Sequence, residues 1–266
     1  MIPVSIVIIT KNEGAVIEQC IKRSKLITND IVIIDNGSTD DTLIIAAKHG
    51  CRIYNRPWIS YGTNKNLGNE LAAHNWILSI DADELPDEEL INTLHTIPLN
   101  DANVVYDIPF RSYCGMQPVL HGNWGREHHI RLFNRESVRW AETIVHESLV
   151  LNKGIQIKKI KGHLHHYTIS NIDEYDRKCN YYAKLCAEQY FKNGKKAGVV
   201  KMYLSPVFGF FKSYFILLGF LDGRLGWLIA KTNFVNTRRK YTYLNRFETL
   251  PQKKPAVKES FAIEYR

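Results

Sequence analysis

Apolar runs alternate with polar clusters along the first third of the chain, and the runs have the length and composition of strands. Residues 4–10, 31–34 and 77–80 are almost wholly apolar and rich in β-branched side chains, which is typical of strands buried on both faces of a parallel sheet. A shorter run at 52–54 predicts another strand, and helical patterns lie between the runs, the third of them over about residues 65–74. This alternation predicts an α/β fold with a mainly parallel sheet.

Polar side chains follow three of these strands, at the carboxyl edge of the sheet where ligands of such folds bind. The residues concerned are Thr10, Asn12, Glu13, Asp35, Asp81 and Asp83. Alternate residues of an extended segment project to the same side, so Asp81 and Asp83 are predicted to face one ligand. Two close carboxylates repel each other unless a cation or a proton compensates. A hard divalent ion that also binds substrate phosphates fits this pattern.

The ordered set resembles the nucleotide-sugar domain of inverting family 2 glycosyltransferases, which have the GT-A fold. The matching segments are Thr-Lys-Asn-Glu (10–13), Asp-Asn-Gly-Ser-Thr-Asp (35–40) and Asp-Ala-Asp-Glu (81–84). Later segments resemble the bacterial branch that glycosylates lipopolysaccharide core, namely Arg-Leu-Phe (131–133), Val-His-Glu (145–147), His-Tyr (166–167) and Gly-Phe-Leu-Asp-Gly (219–223).

The resemblance implies a GT-A sheet flanked by helices, with a C-terminal helical extension. It also implies transfer of a hexose, glucose by preference, from a UDP-sugar to a hydroxyl of a lipid-linked saccharide, with inversion. We expect a catalytic domain over residues 1–170, a helical membrane-proximal extension over 171–250 and a polar tail over 251–266.

The resemblance also implies roles for single residues. Asp83 is expected to bind the metal, Mn²⁺ or Mg²⁺, with His166 as a further ligand. Asp81 is expected to contact the ribose or to reach the metal through water. Asp35 would accept a hydrogen bond from the uracil ring, and Lys65 would face the diphosphate. Thr10, Asn12 and Glu13 would line the base and ribose.

The base that deprotonates the acceptor hydroxyl is expected to be Glu147, with Glu142 as the alternative. Most family 2 enzymes have Glu-Asp at this position, whereas this chain has His146-Glu147. Trp124, Arg126 and Arg131 fall in a stretch predicted to be rich in loops and to form the acceptor side.

The net charge of +8 and one apolar segment bear on the partners. Residues 202–227 are apolar and aromatic, but Lys212 interrupts them, and the uninterrupted stretch 213–221 is shorter than the ~20 residues of a spanning helix. We therefore predict a helix that lies in the membrane interface, with a core helix and a span as alternatives. The basic patches carry no nucleic-acid motif, so no nucleic acid is expected.

The chain opens directly into its first strand, with no signal peptide, so we expect a cytoplasmic protein at the inner face of the membrane. Two other classes remain open from the sequence. A nucleotidyltransferase would carry a Gly-rich, basic signature after its first strand, which residues 10–14 do not resemble. An inactive sugar-binding or scaffold protein would not need to keep Asp35, Asp81, Asp83 and Glu147.

Overall fold

The structure, a computed structural model, describes residues 1–142 and 148–249. The chain divides into two compact units. Within the described residues, the first comprises Met1–Arg111 and Glu127–Tyr167, and the second comprises Ser112–Arg126 and residues 168–249. The expectation for residues 251–266 lies outside the described part of the chain.

Twelve strands occur in the described residues. They are β1 (Val4–Thr10), β2 (Ile31–Asp35), β3 (Arg52–Asn55), β4 (Trp76–Asp81), β5 (Glu84–Pro86), β6 (Val104–Cys114), β7 (Gln117–Pro118), β8 (His128–Asn134), β9 (Val138–Trp140), β10 (Leu149–Leu151), β11 (Gln156–Lys159) and β12 (Leu164–Ile169). The α-helices are α1 (Ile17–Ser24), α2 (Thr42–Lys48), α3 (Tyr61–Leu71), α4 (Glu88–Thr96), α5 (Ile172–Lys192), α6 (Val199–Phe211) and α7 (Gly223–Thr249).

Strands β3, β2, β1 and β4 lie side by side in this order and are parallel. β8 lies between β4 and β6 and is antiparallel to both, and β12 and β5 follow at the far end of the sheet. Helices α1 and α4 contribute to one apolar cluster of the sheet and α3 to another. The predicted α/β fold, a mostly parallel sheet flanked by helices with a helical region towards the C-terminus, is confirmed.

The side chains of β1 show why this strand is almost wholly apolar. Ile6 and Ile8 belong to the cluster with α1 and α4, while Val7 and Ile9 belong to the cluster with α3. Because successive side chains of a strand point to opposite faces, a strand covered on both sides favours apolar residues at nearly every position. All seven residues of β1 are buried.

Helix α3 begins earlier than the pattern predicts, at Tyr61 rather than near residue 65. Ser60 is its N-cap, and the Ser60 hydroxyl accepts a hydrogen bond from the Thr63 N–H at 3.1 Å. Gly68 lets this helix approach the sheet closely, since a Cβ there would lie 2.3 Å from Val7 Cγ1. The first turn of α3 was not predicted, because Ser60 and the mostly polar residues after it do not show the apolar spacing of a helix.

The apolar segment 202–227 of the second unit is not one helix. α6 ends at Phe211, one π-helical turn follows over Lys212–Ile216, a short 3-10 turn covers Gly219–Asp222, and α7 then begins. The axes on the two sides of this break are bent by 72°. Within the described residues no single helix has the length and hydropathy to cross a membrane, although this bent pair passes such a test jointly.

Candidate active site

The strand register brings the ends of three neighbouring strands together. Thr10 of β1 pairs with Asp35 of β2, and Ile9 pairs with Asp81 of β4. Parallel strands end at one edge of the sheet, so the polar residues that follow them share that edge. β4 ends at Asp81, however, and Asp83 lies in the turn before β5. The prediction of one extended strand through both aspartates was therefore wrong.

The loops after β1 and β2 are tied to each other. Asn12 has a positive φ of 56°; its N–H donates to Ser38 Oγ at 2.9 Å, and its Oδ1 accepts from the Thr39 N–H at 2.8 Å. The buried carboxylate of Asp35 accepts from the N–H groups of Gly37 and Ser38, both at 2.9 Å. These hydrogen bonds hold Asn12 and Asp35 in place at the edge of the sheet. The Asp35 carboxylate is thus already an acceptor for the backbone of the turn that follows it.

Thr10 and Glu13 border the same loops. The Glu13 N–H donates to Thr42 Oγ1 at 2.8 Å, which anchors the first loop to the start of α2. The Thr10 hydroxyl is buried and has no hydrogen-bond partner among the described residues. Its unused hydroxyl lies next to Asp35 in the register, where a ligand could take the bond.

Asp81 is held by two cations. Lys65 on α3 places Nζ 3.0 Å from Asp81 Oδ1, and a guanidinium nitrogen of Arg131 lies 3.2 Å from Asp81 Oδ2. The Lys65 side chain is only 1% exposed, and its ammonium group stands 4.7 Å from the ring centroid of Trp140. Burial would raise the pKa of Asp81, but Lys65 and Arg131 outweigh it and hold the pKa well below its usual range. Asp81 is therefore an anion whose position is fixed from both sides.

Arg131 joins Asp81 to a second carboxylate that the sequence analysis did not single out. Its guanidinium also pairs with Glu84, which is buried and accepts a hydrogen bond from the Asp81 N–H at 3.1 Å. Burial raises the pKa of Glu84 to about 7, against the opposing charge of Arg131. The expectation that Arg131 lies in a loop was wrong, because it belongs to β8 and points into this buried cluster. Its apolar neighbours Leu132 and Phe133 were the available signal.

Asp83 faces a histidine from a distant part of the chain. His166 Nε2 lies 3.4 Å from Asp83 Oδ2, and the two side chains are 23% and 28% exposed. The antiparallel pairing of β12 with β5 sets His166 opposite Glu84 and so beside Asp83. Burial alone would lower the pKa of His166, but the hydrogen bond and charge of Asp83, with the charges of Glu84 and Asp81, raise it to about 9.

Asp83 and His166 fit a divalent metal ion by their chemistry. Carboxylate oxygen and imidazole nitrogen are both common ligands, and both groups reach the surface of the edge. Within residues 1–142 and 148–249, no group of three or more His, Cys, Asp or Glu side chains is arranged to hold a metal. Such an ion would therefore need further ligands, which the phosphates of a substrate can supply.

Of the two candidate bases, the structure describes Glu142 but not Glu147. Glu147, with His146, lies outside the described residues. The Glu142 side chain is 61% exposed, and its carboxylate lies 4.0 Å from Arg139. Trp124 and Arg126 form a short 3-10 turn in the second unit.

A mostly parallel sheet with this cluster of carboxylates and cations at its carboxyl edge defines the class of GT-A glycosyltransferases. The chain belongs to glycosyl transferase family 2, whose profile matches residues 5–153. The predicted family and enzyme class are thus confirmed, and the protein is a glycosyltransferase.

Two glycosyltransferases are similar to this chain in sequence. An uncharacterized glycosyltransferase of Rickettsia prowazekii is 32% identical over 232 residues, which cover 83% of this chain and 79% of the relative. LpsC of Rhizobium meliloti, a lipopolysaccharide core biosynthesis glycosyltransferase, is 28% identical over 243 residues, covering 86% and 89%.

Two solved structures are also similar. Glucosyl-3-phosphoglycerate synthase of Mycobacterium tuberculosis, in complex with Mn²⁺, UDP-glucose and phosphoglyceric acid, is 25% identical over 41% of this chain and 43% of that chain, with a TM-score of 0.33. TarS of S. aureus is 12% identical over 93% and 91%, with a TM-score of 0.45.

Proposed function

We propose that this glycosyltransferase moves a hexose, glucose by preference, from a UDP-sugar to a hydroxyl of a lipid-linked saccharide such as lipopolysaccharide core, with inversion. The observation that carries the proposal is the pair of contacts at the sheet edge, Lys65 with Asp81 and Asp83 with His166. The similarity to LpsC supports the class of acceptor.

The donor would lie across the ends of β2, β1 and β4. Asp35 would accept a hydrogen bond from the ring N–H of uracil, which selects uridine over cytidine because N3 of cytidine carries no hydrogen. Thr10, Asn12 and Glu13 would border the base and ribose. Asp81, held in place by its two cations, would contact the ribose or a metal-bound water.

The diphosphate would lie near Lys65 and Asp83. An ammonium group donates up to three hydrogen bonds, which suits it to bind phosphate oxygens. The ion pair with Asp81 holds the ammonium group of Lys65 at this edge of the sheet. Asp83 and His166 would hold a divalent metal, either Mn²⁺ or Mg²⁺. When bound, the metal would stabilise the negative charge that develops on the departing UDP. His166, whose pKa is about 9, would have to give up its proton to serve as a ligand.

The transfer itself is one displacement. The acceptor oxygen forms a bond to the anomeric carbon while the bond from that carbon to the diphosphate oxygen breaks, and UDP leaves with the electron pair. The acceptor proton passes to a carboxylate, for which we propose Glu147, with Glu142 as the alternative. Attack on the face opposite UDP inverts the anomeric configuration.

A binding titration tests the donor site. Purified protein is titrated by calorimetry with UDP, CDP and GDP, with and without Mn²⁺. We expect UDP-selective, metal-dependent binding that is lost in Asp83→Asn and kept in the control Glu89→Gln, an exposed carboxylate on α4. Binding that needs no metal, or that Asp83→Asn leaves unchanged, would contradict the metal assignment.

A second assay tests the transfer. The full chain is incubated with UDP-glucose and a lipopolysaccharide core acceptor, and UDP release and the product's anomeric configuration are measured. Glu147→Gln should keep UDP binding but lose transfer, whereas Glu142→Gln should keep both. Transfer that persists in Glu147→Gln and disappears in Glu142→Gln would move the base to Glu142. UDP binding without sugar transfer to any core acceptor would refute the proposed acceptor.

A further inference from the structure

Helix α6 of the second unit exposes an apolar face. Exposed apolar side chains recur at helical spacing along α6 and through the π-helical turn after it, each between 48% and 64% exposed. They are Leu204, Val207, Phe208, Phe211, Phe215 and Ile216, which we call the apolar ridge. A helix on the surface of a water-soluble unit normally turns its polar face outward. Contiguous apolar patches on a protein surface mark sites of interaction with another apolar phase or protein.

The ridge continues around the break that leads into α7. Phe220, Leu221 and Trp227 are each more than 40% exposed. Beneath the exposed atoms the rings are packed, with the centroids of Phe210 and Tyr214 5.5 Å apart and Trp227 edge-on to Phe210 at 5.2 Å. Tryptophan and tyrosine favour the boundary between water and lipid, because their rings combine an apolar body with a polar group.

Polar contacts hold the break in shape. The Asp222 carboxylate accepts hydrogen bonds from the N–H groups of Leu120 and His121, at 3.1 and 2.8 Å, and lies 2.8 Å from His121 Nδ1. Gly226 packs against the turn, and a Cβ there would lie 1.8 Å from the Gly219 carbonyl oxygen. The ridge is therefore formed in advance, so docking requires little further ordering of the chain.

Apart from Asp222, whose buried carboxylate pairs with His121, the charges around the ridge are positive. Lys201, Lys212, Arg224 and Lys231 are all exposed along the same segment. From residue 192 to 249 the sequence has eleven Lys and Arg but only two Asp and Glu. Basic residues near an anionic lipid surface each contribute about 1 kcal/mol to binding. The combination of apolar ridge and positive rim complements an anionic bilayer in both chemistry and charge.

The pattern favours a position in the interface over a passage through the membrane. The two uncharged stretches of this segment, residues 202–211 and 213–221, are both well below the ~20 residues of a spanning helix. Since the axes bend by 72° at the break, both helices can rest near the surface with the ridge towards the acyl chains.

We propose that the second unit docks on an anionic membrane through the apolar ridge, with Lys201, Lys212, Arg224 and Lys231 on the headgroup phosphates. This surface would present the enzyme to a lipid-linked acceptor, but the docking itself needs neither nucleotide nor catalysis. A chain that binds UDP but no vesicles would refute only the docking. A chain that binds vesicles but no UDP would refute only the proposed donor site.

Vesicle flotation with the full chain tests the docking. We expect the protein to float with phosphatidylcholine vesicles that contain about one third phosphatidylglycerol, and not with pure phosphatidylcholine. The double variant Phe208→Ser/Phe211→Ser should lose at least about tenfold in partition, because two exposed rings no longer enter the lipid. Lys201→Glu/Lys212→Glu should also lose binding. The control Ile44→Ser alters an apolar side chain that is 68% exposed on α2 of the first unit, and should bind as the native chain does.

Three results would overturn the proposal. The first is a native chain that floats with neither kind of vesicle, and the second is flotation that the double phenylalanine variant leaves unchanged. The third is a native dimer, seen by analytical ultracentrifugation, that becomes a monomer in that variant without any vesicle binding, since a second copy would then cover the ridge. Circular dichroism and UDP titration of each variant establish that it is folded.

Discussion

Asp83→Asn removes the negative charge nearest to the ring of His166. In the native chain, burial disfavours the protonated ring, but Asp83 at 3.4 Å and the carboxylates of Glu84 and Asp81 reverse this and raise the pKa of His166 to about 9. Asparagine has nearly the same shape and keeps a hydrogen-bonding oxygen, but it carries no charge. We therefore expect the pKa of His166 to fall by more than about one unit in the variant.

The magnitude follows from the size of the shift. A rise from the ordinary value of 6.5 to about 9 corresponds to about 3 kcal/mol of stability, at 1.36 kcal/mol per pKa unit. The folded pKa is raised, so this stability is fully present below pH 6.5 and is lost as the pH rises through about 9. Asp83→Asn should hence lower the free energy of unfolding most below pH 6.5, and the difference from the native chain should vanish above about pH 9.

The assay is an NMR titration of the histidine rings with chelator present, because a bound metal would displace the proton. The His166→Gln spectrum assigns the signal, and urea unfolding at several pH values measures the stability. Asp87→Asn is the matched control, since Asp87 lies beside His163 and His165 and should leave His166 unmoved. An unchanged His166 pKa in Asp83→Asn would refute the idea that these two groups form one electrostatic unit.

Three further predictions concern stability and metal binding. Arg131→Met should cost about 3–5 kcal/mol in urea unfolding, because it leaves the buried carboxylate of Glu84 without its cation while Asp81 keeps only Lys65. Arg139→Met, whose partners are exposed, should cost less than about 1 kcal/mol, and equal costs would contradict the burial argument. Gly68→Ala should destabilise by about 1–3 kcal/mol, since its Cβ meets Val7, and a neutral result in the same assay would show that α3 can move away. The calorimetric affinity for Mn²⁺ should increase from pH 6 towards pH 9 as His166 loses its proton, and a flat profile would exclude it as a ligand.

The period of apolar residues was enough to predict the central sheet. A strand covered on both faces is apolar at nearly every position, and this left a clear pattern in β1, β2 and β4. Because parallel strands end at one edge, the sequence also indicated that Asp35 and Asp81 share that edge of the sheet. The start of α3 was missed because its first turn is polar and its cap, Ser60, has no apolar signal.

The partners of the carboxylates came only from the tertiary structure. His166 reaches Asp83 because β12 pairs with β5, and Arg131 reaches Asp81 and Glu84 from β8. Such pairings depend on the register of strands far apart in the chain, and no local pattern encodes that register. The resemblance suggested His166 as a ligand, but the charges that set its pKa became visible only in three dimensions.

In the apolar segment 202–227, too, some properties follow from the sequence and others only from the tertiary structure. Its composition indicated that charge interrupts it too often for a simple span, and it showed that cations flank it. Its break over Lys212–Ile216 and Gly219–Asp222, and the outward direction of its apolar face, were decided by packing against α7 and by the Asp222 contacts. Hydrophobicity is a property of the residues themselves, whereas exposure depends on which neighbours the fold supplies.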